Sequence, residues 1–208
     1  MKYIVKTKEV FQLIKKFLLI LVLIFSFQSW TKADDIRDFE IEGMSVGDSL
    51  LEYYTKEQIE KFLIVIYPSS DTFIGWETNE SIMFKEYTAM TFHVKSDDNK
   101  YEIFSMKGML DYPNKIENCL DKKKEIVNQI KNNLNYEDFY SYEGDFRKKY
   151  GESIGYVTDF DLSGGDAIRV WCTTWDKENE DSKYWIDTLN VSAGSKPFFD
   201  FLNNEAYK

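Results

Sequence analysis

The sequence predicts an α+β fold: a two-layer sandwich in which a mostly antiparallel sheet carries helices packed on one face. Three observations predict it. Segments alternating apolar and polar residues are joined by short polar turns, and short turns permit antiparallel pairing only. Helix-like segments stand before, between and after these strands, as a covering layer requires. Two cysteines, Cys119 and Cys172, fall on the apolar side of one helix and of one strand.

Each element has its own signal. Asp34–Ile41 alternates weakly and is expected to open as a strand. Ser45-Val46-Gly47-Asp48 carries an N-cap residue with an acid three positions on, which predicts a short helix to about Tyr54. Thr55-Lys56-Glu57-Gln58 repeats the device, with Ile59, Phe62 and Leu63 as the apolar side. Thr72–Trp76 and Ser81–Phe84 are short strand candidates after the loop at Pro68. Ala89–Lys95 alternates cleanly, Met90, Phe92 and Val94 against Thr91, His93 and Lys95. On that pattern His93 is expected to face water. Tyr101–Leu110 returns after the polar turn Ser96–Lys100. Behind Pro113, residues 114–134 place Ile116, Cys119, Leu120, Ile126, Val127, Ile130 and Leu134 at helical spacing, with Asn114 and Glu117 fitting a capping box. Tyr136–Tyr150 is aromatic and acidic, and its end, Asp145–Tyr150, is expected to be helical. Ile154–Leu162 and Asp166–Trp175 form a second hairpin across Ser163-Gly164-Gly165. Asp176–Lys183 reads as an acidic loop, Tyr184–Val191 as the last strand and Lys196–Asn203 as a terminal helix.

Residues 1–33 stand apart from this domain, which spans residues 34–208. Five lysines and one glutamate precede Phe17–Phe27, an apolar run broken by Ser26 alone. As a helix it is about 16 Å long, short of a hydrocarbon core of about 30 Å. Thr31-Lys32-Ala33 places small residues at the −3 and −1 positions of a cleavage site. A secretory signal peptide is therefore expected, cut near Ala33, with a periplasmic or secreted product free of the membrane; retention as an anchor is the alternative. Residues 34–208 keep 20 basic and 35 acidic residues, a net charge of −15. Such a surface repels nucleic acid and anionic lipid. With one His and two Cys in the chain, a zinc site of the usual ligands is not expected, nor is any cofactor.

Export leads to an oxidising compartment, where paired cysteines form a disulfide. A Cys119–Cys172 bridge is predicted, joining the long helix to a strand. The absence of a CxxC pattern makes it structural rather than redox-active.

Candidate chemistry is sparse. Gly151-Glu152-Ser153-Ile154-Gly155 matches G-x-S-x-G, but a nucleophile elbow needs a strand before the serine and a histidine after it. Here a strand follows, and His93 lies upstream. Asp159, Asp161, Ser163 and Asp166 resemble the start of a calcium loop, yet position twelve is Val170, where a bidentate Glu is required. The loop Asp176–Asp181 reads as a solvated connection, and no feature selects a catalytic carboxylate pair. The aromatics carry the better lead. Trp171 and Trp175 share the strand side opposite Cys172 with Arg169, and Tyr184 and Trp185 stand in the next strand. If open, this face suits stacking a sugar or gripping a peptide; covered, it is a second small core.

The segment Asp38–Leu51, DFEIEGMSVGDSLL, with the polar Lys56–Glu60 behind it, resembles the start of a group of uncharacterised exported single-domain proteins of small-genome marine bacteria. Asp166–Trp175 and Glu205-Ala206-Tyr207 are similar to that group as well. The resemblance implies export and one small domain, and brings no activity or catalytic residue with it. The functional expectation is an exported, non-enzymatic binding or interaction protein, its partner a protein or small ligand. The alternatives are a carboxylate-based hydrolase acting on a glycan and a binder of divalent ions.

Overall fold

Two four-stranded meanders, joined by one long helix, share a single sheet. The computed structural model describes residues 35–79, 84–145, 150–183 and 185–208; the expected export segment, residues 1–33, lies outside them. A small hairpin, β1 (Glu40–Ile41) and β2 (Met44–Ser45), and a short helix, α1 (Lys56–Ile59), precede the sheet. The first meander is β3 (Leu63–Val65), β4 (Phe73–Thr78), β5 (Ala89–Lys95) and β6 (Ser105–Asp111). Helix α2 (Ile116–Asn133) then carries the chain to the far edge. The second meander is β7 (Asp138–Asp145), β8 (Ile154–Asp161), β9 (Ala167–Thr174) and β10 (Thr188–Gly194), with helix α3 (Lys177–Lys183) before its last strand. Helix α4 (Lys196–Asn204) follows. The order across the sheet is β3-β4-β5-β6-β10-β9-β8-β7, and every pair in it is antiparallel. The expected α+β class with a mostly antiparallel sheet is what is found; α2 packs on one face, while α4 crosses the other.

Register builds the core. Phe92 lies opposite Met106, Met106 opposite Ala193, Ala193 opposite Ile168 and Ile168 opposite Phe160, all buried on one face. The next rows add Val191 with Val170 and Leu189 with Cys172. Helix α2 lies over β9 and β10 on this face. Cys119 and Cys172 are joined there, 53 residues apart in sequence and 6.1 Å apart at Cα, as predicted. Beside α2 the β1–β2 hairpin sits over β6. A Cβ on Gly108 would lie 2.7 Å from the Tyr87 ring and 3.0 Å from Ile41, so glycine keeps the room that lets this layer close on the sheet.

Several local signals resolve differently. Ser45 is a strand residue whose N–H donates to the Asp48 carboxylate; the capping box forms four residues later, at Ser49 and Glu52. The box at Thr55 and Gln58 is formed as expected. Helix α2 starts after Lys115 without a side-chain cap, because Asn114 takes a left-handed turn at φ 54°. Asp138–Asp145 is a strand, paired along its whole length with β8, so the helix expected at Asp145–Tyr150 does not begin within it; residues 146–149 lie outside the described set. Asp176–Lys183 winds into α3 rather than a loop, since the Asp176 carboxylate accepts from the Asn179 N–H at 2.8 Å. Gly164 and Gly165, at φ 79° and 89°, turn the β8–β9 hairpin as expected.

His93 is the main correction. It lies on the sheet face away from α2, as the alternation requires, but that end of the face is largely covered. Helix α4 crosses it: Phe198 stacks on the imidazole at 4.4 Å, and Phe201 meets Tyr67 at 4.9 Å and Phe73 at 5.0 Å. The imidazole Nδ1 is shut off from solvent and has no hydrogen-bond partner among the described residues. Alternation says which side a residue faces, not what a distant helix lays over it.

Candidate binding site at Trp185

The four residues singled out by sequence fall into two groups. Trp175 and Trp185 come together at 4.4 Å, and Tyr150 closes on both, at 5.7 Å and 5.3 Å. Arg169 and Trp171 lie elsewhere, on the open side of β9, and among the described residues no ring contact joins Trp171 to the Trp175–Trp185 pair.

The first group is positioned by an interlock of polar contacts. The Trp175 N–H donates to the Asp187 carboxylate at 3.0 Å, and the Asp187 carbonyl accepts from the Tyr112 N–H at 2.7 Å. Asp187 itself is buried, so it pins the segment that presents Trp185 from both sides. Asp176 receives the N–H groups of Asn179 and Glu152, tying α3 to the turn before β8. Trp185 thereby becomes one wall of a cavity of about 570 Å³. Ile186 extends that wall, Pro113 and Asn114 come from the turn before α2, and Lys177, Glu180 and Asp181 come from α3. Burial, with the carboxylates of Asp187, Asp181 and Asp176 nearby, raises the Glu180 carboxyl above its ordinary range.

This site joins a rigid indole to a carboxylate and ammonium rim. That combination stacks an apolar ring face and hydrogen-bonds the groups at the ring's edge. It is poorly arranged for glycoside cleavage. Glu180 and Asp181 are consecutive on a helix and point about 100° apart, so they do not flank a bond from its two sides.

The second group sits in a ladder across β7, β8 and β9. Tyr140 lies opposite Asp159 and Asp159 opposite Arg169; Tyr142 lies opposite Val157 and Val157 opposite Trp171. Arg169 grips Asp159 through Nε at 2.6 Å and through its terminal nitrogen at 2.9 Å, a bidentate pair. The Asp159 side chain is 6% exposed and that of Arg169 50%. Replacing Arg169 by Met leaves the buried Asp159 carboxylate without its charged partner, held, among the described residues, only by the Tyr142 hydroxyl at 3.4 Å. The expected cost is about 3 kcal/mol in urea unfolding, most of it recovered when Asp159→Leu is added. Asp159 was singled out as a calcium-loop acid rather than as the partner of Arg169, and the two tyrosines were missed because β7 did not read as a strand; the alternation of Phe139 and Ser141 with Tyr140 and Tyr142 was the available signal.

The remaining motifs dissolve into structural roles. Ser153 of the G-x-S-x-G run is buried, donating to the Tyr150 carbonyl at 2.6 Å and accepting from the Asp176 N–H at 3.0 Å. The calcium-like acids are divided: Asp159 holds Arg169, while Asp166 accepts the Lys196 N–H at 2.8 Å. Among the described residues no group of three or more His, Cys, Asp or Glu is placed to hold a metal ion, and no helix is long and apolar enough to cross a membrane. The chain matches no family model, no curated protein and no solved structure.

Proposed function

We propose that this is an exported, non-catalytic binding protein that takes a saccharide ring against Trp185. The observation that carries the reading is the cavity wall formed by Trp185 and braced by Trp175, with the α3 carboxylates at the rim. A pyranose offers an apolar C–H face to an indole and hydroxyls to carboxylates, and a braced ring loses little freedom on binding. The acidic surface favours neutral or cationic sugars over anionic ones. Export is supported by the Cys119–Cys172 bridge, since such bridges persist in oxidising compartments, the periplasm or the outside of the cell.

The test is tryptophan fluorescence and calorimetry against a panel of neutral and amino-sugar oligosaccharides. At least one is expected to bind with a dissociation constant in the range of about 10 µM to 1 mM. Trp185→Ala should weaken it about tenfold or more, while Arg169→Lys on the far patch leaves it unchanged. Absence of binding across the panel, or full affinity in Trp185→Ala, overturns the reading.

A further inference from the structure

We propose that the β3 edge of the sheet is a self-association surface, on which two copies of this chain pair antiparallel about a two-fold axis at Ile64. Among the described residues strand β3 pairs only with β4, Ile64 opposite Trp76, and ends the sheet. Leu63 is 68% exposed, Ile64 56% and Ile66 77%. They belong to the run Phe62-Leu63-Ile64-Val65-Ile66, which holds no charge, no proline and no glycine. Because side chains alternate, Leu63 stands on one face of the sheet and Ile64 on the other, so both faces of this edge are apolar.

An exposed edge of this kind is a template for another strand. Folded proteins blunt such edges with very short strands, charges, proline, bulges or a covering element; β3 is short, at three residues, but carries no charge and no proline. The opposite edge shows the contrast: β7 carries Asp138, Glu143 and Asp145. Strand β7 also exposes Phe139, Tyr140 and Tyr142, but they stand among these acids, whereas the run at β3 is uncharged. On its inner side a Cβ on Gly75 would lie 2.7 Å from that of Val65, so glycine lets β4 approach β3 closely.

The occupant follows from the charge pattern. With the axis at Ile64, Ile64 meets its own copy and Leu63 meets Val65, apolar on apolar throughout. Glu60 and Lys61 precede the strand, and Tyr67 and Pro68 follow it. Antiparallel pairing lays the Lys61 end of each copy beside the Tyr67 end of the other. Tyr67 carries the exposed Tyr207 ring at 5.8 Å, an aromatic pair suited to an ammonium. Like charges never meet, as they would in a parallel arrangement. The two-fold consumes the β3 edge of both copies and leaves only the acidic β7 edges outward, so assembly stops at two.

Sedimentation velocity of the purified protein, from low micromolar to about 1 mM, tests this. A monomer–dimer equilibrium is expected. Added salt should strengthen it, because the apolar contact persists while repulsion between two acidic chains is screened. Ile64→Lys and Ile66→Lys change exposed side chains, and their folding is checked by circular dichroism. Each is expected to weaken dimerisation about tenfold or more, while Tyr142→Lys on the other edge leaves it intact. A wild-type protein monomeric to the top of the range overturns the proposal. So does growth beyond two copies, or a dimer that survives both substitutions on β3.

Discussion

Replacing Cys119 and Cys172 together by alanine is expected to lower the unfolding free energy by about 4 kcal/mol and the melting temperature by about 12 °C. The bridge closes a loop of 53 residues that contains most of α2, all of β7 and β8 and most of β9. In the unfolded chain that constraint removes conformations which the unbridged chain would regain. Half of the sheet is at stake, because β7 to β10 are joined to β6 in the chain through α2, which crosses the face. Both sulfurs are on fully buried residues, so a reductant added to the native protein should act no faster than α2 lifts from β9. Denaturant melts of wild type and double variant measure the effect. A loss below about 1 kcal/mol would mean that Ile130, Leu134 and their neighbours dock α2 without covalent help.

Acid is expected to loosen the other end of the sheet. Burial, and secondarily the nearby Lys107, push the His93 imidazole down to about 3 from an ordinary 6.5. In the unfolded chain the same group takes up its proton near 6.5. Above that pH the depressed value has no consequence. As the pH falls from 6.5 towards 3 the unfolded state binds a proton the native state refuses, and stability declines by up to about 1.4 kcal/mol per pH unit. The carboxylates add their own acid dependence, so the informative quantity is the difference from a His93→Leu variant. That variant lacks the buried, unpartnered nitrogen as well as the titration. It should match or slightly exceed wild type at pH 7 and lead by about 2 kcal/mol at pH 5. Stability curves that stay parallel between pH 7 and pH 4 would contradict it. Because Phe198 covers the imidazole, release of α4 is expected to be the first event, visible as increased exposure of Phe198 and Tyr67 to labelling.

Strand β5 was legible to the residue, Ala89–Lys95, because its alternation is strict and its central position makes burial follow pattern. The β8–β9 hairpin was legible to within a residue at each end, where paired glycines supply the positive φ angles that the turn needs. Helix α2 was legible from its apolar stripe, and the stripe placed Cys119 correctly. Strand β3 was not legible. Its three residues lie within the apolar run Phe62–Ile66, which follows a capped helix and reads equally as the end of that helix, since short apolar runs carry no period. Strand β7 was hidden for the opposite reason: its edge position lets tyrosines and acids take places that a central strand reserves for apolar residues.

The candidate site was legible in its residues and not in its grouping. Sequence singled out Trp171, Trp175, Trp185 and Arg169. Strand alternation put Trp171 and Trp175 on one side, but Trp175 lies past the end of β9, where the chain turns to meet Trp185 and Tyr150. The acidic stretch that read as a solvated loop becomes α3, the opposing rim of the cavity, once Asp176 caps it.

By itself the amino-acid order determined the sandwich class, the clean strands, the long helix and the pairing of the sulfurs. Each of these is written in spacing between near neighbours along the chain, where side-chain period and turn chemistry act locally. The burial of His93, the exposure of β3, the partner of Arg169 and the walls of the Trp185 cavity were decided only on folding. Those features arise between segments distant in sequence, and what lies over a given face is settled by which elements pack together, a property no single segment contains.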